Sequence, residues 1–120
     1  VVVGLAAKLQ LKPGQSIAFV DRPGDADLGD AAACPTADPE QADAVVVFAA
    51  DANGLNAAIP TLSAAADRGA LTWVAYPKAG ALGTDLNRDR VRAAVNEEGL
   101  DTVRQVPVDD TWSALRLRSA

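Results

Sequence analysis

The chain has 120 residues, a formal net charge of −5, no histidine and one cysteine, and it is 49% hydrophobic but only 4% aromatic. That length suits one α/β-sized domain (residues 1–120) with a core of Val, Leu, Ile and Ala. Without His, the chain by itself excludes Ser-His-Asp and Cys-His catalysis and His-ligated zinc; one Cys excludes an internal disulfide; and the acidic balance argues against a nucleic-acid partner. No apolar run approaches the roughly 18 residues of a membrane span, and Val1-Val2-Val3 lacks a charged leader region, so the expectation is a cytoplasmic protein with no membrane contact.

In chain order, Leu5 and Leu9 form an i, i+4 apolar pair that predicts a short helix, stopped by Pro13-Gly14. A first strand follows over about Ser16 to Asp21. The segment from Arg22 to Asp43, rich in Asp, Pro, Gly and Ala, predicts at most one helical turn near Ala26 to Ala33 and a short extended piece near Cys34. Ala44 to Ala49 is a continuous, β-branched apolar run, which suits a central parallel strand covered on both faces. Asp51 or Asn53 is a candidate cap for the next helix, where Leu55, Ile59, Leu62 and Ala66 fall at helical spacing and Gly69 marks the end. Pro60 inside that pattern predicts a later start or a kink.

Ala70 to Tyr76 reads as the third strand, ended by Pro77. The glycine-bearing loop Lys78 to Gly83 leads to Thr84 or Asp85 as the expected N-cap of a helix with Leu86, Val91 and Val95 as its buried stripe and Gly99 as its stop. Two more strands, about Thr102 to Val108 and Ser113 to Leu117, are close enough in sequence to form an antiparallel hairpin. Alternating strands and helices predict an α/β fold with a three-layer, Rossmann-like, mostly parallel sheet and a C-terminal antiparallel hairpin.

Leu11-Lys12-Pro13-Gly14 before the first strand, Asp43-Ala44-Val45-Val46-Val47 and Asp67-Arg68-Gly69-Ala70-Leu71 resemble S-adenosylmethionine methyltransferases, whose sheet also ends in an antiparallel strand. That resemblance implies a Gly-x-Gly turn after the first strand and an acidic residue ending the second. The chain offers Asp21-Arg22-Pro23-Gly24-Asp25-Ala26-Asp27 instead, with one glycine and carboxylates facing a cofactor that itself carries one. The twenty-odd residues between Asp21 and Ala44 also cannot supply two strand-helix units, since one crossover takes about a dozen residues or more. The scaffold is therefore read as a reduced one with no cofactor. Trp73 to Lys78, Thr84-Asp85-Leu86 and Val108 to Leu117 further resemble an uncharacterised bacterial family, domain of unknown function 3052, which implies the same kind of fold and no established activity.

Ligands of open α/β sheets bind beyond the carboxyl ends of the parallel strands, which nominates Asp21, Arg22, Asp51, Asn53, Tyr76 and Lys78. The structural alternatives are a turn for Asp21, a cap for Asp51 and a solvated charge for Lys78. Lys78, Gly80, Gly83 and Thr84 precede a helix start and form a candidate anion seat, although Asp85 and Asp89 already complement that dipole. Cys34 reads as a structural thiol, and Arg88 and Arg92 as a solvated helix face. Trp73 is expected in the core. Trp112 either closes the core or anchors an interface together with Arg116 and Arg118, whose face suits an acidic partner or a second copy of the chain. The function expected is a non-catalytic binding or interaction module, with a small-ligand enzyme or sensor as the alternative and methyl transfer behind both; no metal site is expected.

Overall fold

The structure is a computed structural model, and it describes residues 4–12, 14–24, 28–78 and 81–119. Three α-helices and five strands run in the order α1 (Leu5–Lys8), β1 (Ile17–Val20), β2 (Ala44–Phe48), α2 (Ala52–Asp67), β3 (Leu71–Pro77), α3 (Arg88–Glu97), β4 (Leu100–Pro107) and β5 (Trp112–Ser119). Two 3-10 turns, Gly29–Ala33 and Ala81–Gly83, fall in the loops before β2 and α3. The fold is α/β, with one five-stranded mixed sheet in the order β1-β2-β3-β5-β4.

β1, β2 and β3 pair in parallel, whereas β5 is antiparallel to both β3 and β4. It follows that β5 alone runs against the other four strands. The last strand lies between β3 and β4, so the C-terminal hairpin is inserted into the sheet edge. β3, and not β2, is the middle strand; β2 is the next one out, though all five of its residues are buried as its apolar run requires.

The sheet separates two cores. On one face α2 and α3 cover Val45, Val47, Val74, Tyr76, Leu115 and Leu117. On the other, α1 and the Gly29–Ala33 turn cover Ile17, Val46, Phe48, Trp73, Ala75 and Trp112. Strand alternation produces this division directly, because neighbouring side chains point to opposite faces.

α2 starts at Asp51, whose carboxylate accepts from the Gly54 N–H at 2.8 Å, and buries Leu55, Ala58, Leu62 and Ala65. It runs unbroken through Pro60, contrary to a later start. Pro60 is exposed, and Leu55 and Leu62 are buried on either side of it, so tertiary packing holds the helix across the missing N–H. Gly69 ends the helix with φ +81°. At the opposite end of the sheet from the candidate sites, the Asp43 carboxylate accepts from the Ser16 N–H at 2.9 Å, and Arg68 donates to the carbonyls of Pro39 and Ala42 at 2.7 Å each.

α3 begins later than expected. Its N-cap is Asn87, which accepts from the Arg90 N–H at 2.9 Å, while Thr84 and Asp85 are engaged elsewhere in the fold. Val91 and Val95 are buried on the helix and Leu86 just before it. β4 is irregular: its register to β5 shifts between Thr102 and Arg104, a bulge that leaves Val103 45% exposed.

Candidate functional site

Beyond β1, Asp21 is exposed with φ +56°, and the Arg22 guanidinium lies 5.6 Å from the centre of the Phe19 ring, a cation–π contact on the sheet edge. Between Asp21 and Asp43 the described residues hold one 3-10 turn and a single bridge, Ile17 to Thr36, so β1 and β2 are direct neighbours. Neither a glycine cradle nor an acidic second-strand end is present among these residues. They do not fit S-adenosylmethionine.

Beyond β2, the end of the chain's own β3–α3 loop fills the place where a ligand would meet the start of α2. The Asp85 carboxylate accepts from the Ala52 N–H at 3.0 Å, and the Thr84 hydroxyl donates to the Ala50 carbonyl at 2.7 Å while accepting from the Leu86 N–H at 3.1 Å. With Asp51 already on Gly54, two carboxylates serve the amides and dipole of that helix end. Asp51 and Thr84 are thereby structural, and Asn53 is an exposed residue inside the first turn of α2. Gly83, at φ +68°, is exposed within the 3-10 turn, and Gly80 lies outside the described residues. Asp85→Ala is expected to cost about 1 kcal/mol, the usual loss for a helix-start acceptor, measurable by urea unfolding; an unchanged midpoint would show the bridge to be immaterial.

Tyr76 and Lys78 belong to a different place. They line a cleft of about 360 Å³ with Asn87, Arg88 and Asp89 from the start of α3, Gln105 from β4 and Ser113 from β5. Cross-strand pairing builds it: Tyr76 lies opposite Ser113, which in turn lies opposite Pro107, so the insertion of β5 brings two hydroxyl side chains together on the α3 face. Gln105 donates to the Tyr76 hydroxyl at 3.2 Å. Ser113 is only 5% exposed, and its hydroxyl makes no hydrogen bond among the described residues. Its oxygen still meets solvent at the cleft wall, where it is open to a hydrogen bond with a ligand or water.

The Tyr76 phenol is held above its ordinary pKa of 10.0, first by burial, with the Arg88 guanidinium opposing and the Asp89 carboxylate adding to the rise. It therefore keeps its proton at neutral pH and serves the cleft as a hydrogen-bond donor. Because the folded state holds this proton more tightly than the unfolded one, the associated stability is intact below the unfolded pKa near 10.0 and is lost as pH rises through the folded value. Tyr76 is the only tyrosine. Absorbance titration at the tyrosinate band is thus expected to give one transition above that of the urea-unfolded chain; coincident transitions would refute the burial effect.

The remaining nominated residues lie on the opposite face. Trp112 is 4% exposed and meets Phe48 edge-on, with centroids 5.3 Å apart, so it closes the core. Arg116 is half-buried, donates through Nη1 to the Gln10 side chain, and leaves its buried Nε without a partner. Arg118 is exposed opposite Asp101. Cys34 is half-buried and its Sγ lies 3.9 Å from the Asp30 carbonyl oxygen.

Gln105 and Ser113 escaped sequence reasoning, Arg88 entered it only as helix surface, and Asp89 as a complement to the helix dipole. One signal was readable: Ser113 shares the inward parity of Leu115 and Leu117, a polar residue on an apolar strand face. Among the described residues, no cluster of three or more His, Cys, Asp or Glu is placed to hold a metal ion, and no helix is long and apolar enough to cross a membrane. In comparisons with family models and with curated proteins, no match to this chain was found.

Proposed function

We propose that this chain is a non-catalytic binding module on a reduced, Rossmann-like, methyltransferase-like scaffold, and that it takes a small polar ligand in the cleft formed by Tyr76, Lys78, Arg88, Gln105 and Ser113. The observation that carries the proposal is Ser113, a nearly buried residue of the cleft wall whose unpartnered hydroxyl opens on the cleft. The scaffold reading draws support from β5, the one reversed strand, lying between β3 and β4. The uncharacterised family named above remains part of this reading through the residues of β3 and the hairpin.

Two further features favour binding over catalysis. The crevice beyond β2 is closed by Thr84 and Asp85, and the tyrosine keeps its proton instead of acting as a base near neutral pH. Thermal unfolding in the presence of S-adenosylmethionine, S-adenosylhomocysteine, nucleotides and small hydroxylated acids separates the readings. A ligand at a hundredfold its dissociation constant raises stability by about 2.7 kcal/mol. The expected outcome is a shift with a small polar ligand that Ser113→Ala diminishes, and none with S-adenosylmethionine. A shift with S-adenosylmethionine alone would overturn the proposal.

A further inference from the structure

We infer that the cleft takes an oxyanion carrying a hydroxyl group, a hydrogen phosphate or a hydroxycarboxylate, seated between Lys78 and Arg88 and hydrogen-bonded by Ser113 and Tyr76. This inference rests on the cleft being the binding site, and it adds the chemistry of the occupant.

The donor inventory of the wall decides the sign of the charge. Lys78 contributes an ammonium, Arg88 a guanidinium, Tyr76 and Ser113 hydroxyl protons, and Gln105 the amide proton left over after its bond to Tyr76. The start of α3 adds to these. Asn87 occupies the Arg90 N–H and its carbonyl takes the Val91 N–H, whereas the Arg88 and Asp89 amides precede any intrahelical acceptor. A helix start with open amides favours an anion, and the unpartnered Ser113 hydroxyl, on a separate element, independently marks the same cleft.

Asp89 is the one carboxylate in the wall. It holds the charge of the lining side chains at one net positive and rejects a ligand that is all acceptor. An oxyanion with its own O–H resolves this, since the oxygens meet the donors and the hydroxyl donates to Asp89. Hydrogen phosphate and glycolate share that pattern; acetate lacks the hydroxyl, and glycerol lacks the charge.

The test is a titration of the ¹⁵N-labelled chain, followed by amide shifts at constant ionic strength, with inorganic phosphate, glycolate, acetate and glycerol as probes. Saturable shifts at Tyr76, Lys78, Arg88 and Ser113 with phosphate or glycolate, and weaker ones with acetate, are expected. Whichever of the first two binds more tightly identifies the phosphate or carboxylate source. Ser113→Ala should weaken binding about tenfold, as for loss of a hydrogen bond to a charged group, and Asp89→Asn should narrow the gap between glycolate and acetate. Arg118→Gln, which removes the same charge on the far face, should leave binding unchanged. Saturation by glycerol with none by the anions would overturn the oxyanion inference and leave the site standing. Shifts that stay linear for every probe, or that map elsewhere, would remove both.

Discussion

Trp73→Ala is expected to cost about 3–5 kcal/mol of folding free energy, the range for truncating a buried aromatic. Trp73 is wholly buried on β3, the middle strand, and its indole N–H donates to the Leu9 carbonyl at 3.2 Å just past the end of α1. The side chain therefore both fills the core beneath α1 and fastens that short helix to the sheet. α1 has only four residues, too few to persist on its own helical propensity. Trp73→Phe should separate the two contributions, retaining most of the apolar contact while losing a bond worth about 0.5–1.5 kcal/mol. Urea unfolding followed by circular dichroism measures both. A loss below about 1.5 kcal/mol for Trp73→Ala would contradict the close-packed environment assigned to it.

Trp112→Ala should cost a comparable amount, about 3–5 kcal/mol, and should leave the mass of the folded species unchanged by sedimentation. The indole closes the α1-side core at the start of β5, edge-on to Phe48 with an interplanar angle of 79°. An aromatic pair in that geometry contributes about 0.5–1.5 kcal/mol beyond its buried area. A double-mutant cycle with Phe48→Leu should report coupling in that range. Below Trp112, the Asp109 carboxylate accepts from the N–H groups of Thr111 and Trp112 at 2.8 and 2.7 Å, which sets the turn and aims the ring inward. Parent stability together with a changed mass would instead make Trp112 an interface anchor.

The parts of this fold that could be read from the sequence are those determined by short-range pattern. The apolar run of Ala44 to Phe48, the Leu55 and Leu62 anchors of α2, with Ile59 and Ala66 packed half-buried beside them, the left-handed glycines at Gly69 and Gly99 and the C-terminal hairpin each follow from local rules. The errors arise where a partner distant in sequence decides. Thr84 and Asp85 have the right chemistry for a helix cap, but the Ala50 carbonyl and the Ala52 N–H claim them, and the helix starts only after Asn87. Pro60 reads as a breaker until the burial on either side of it is known.

The cleft shows the same limit from the other side. Lys78 and Tyr76 could be nominated because they follow a parallel strand. Ser113 and Gln105 join them through strand insertion, which depends on which neighbours β5 selects. No pattern within the hairpin itself specifies that choice. Arg88 looked like one more solvated charge because its approach to the cleft depends on where α3 begins.

The position of β5 also governs the order in which the molecule can assemble. β4 is made before β5, yet its backbone pairs with the sheet only through β5. Until residue 112 and those after it have left the ribosome, β3 has a bare edge and β4 has no strand to pair with. The nascent chain can bring β1, β2 and β3 together with α2, but half of the strand pairings await its final eight-residue strand. A stall or truncation before Trp112 would consequently expose a hydrophobic middle strand and commit the partial chain to chaperones or aggregation.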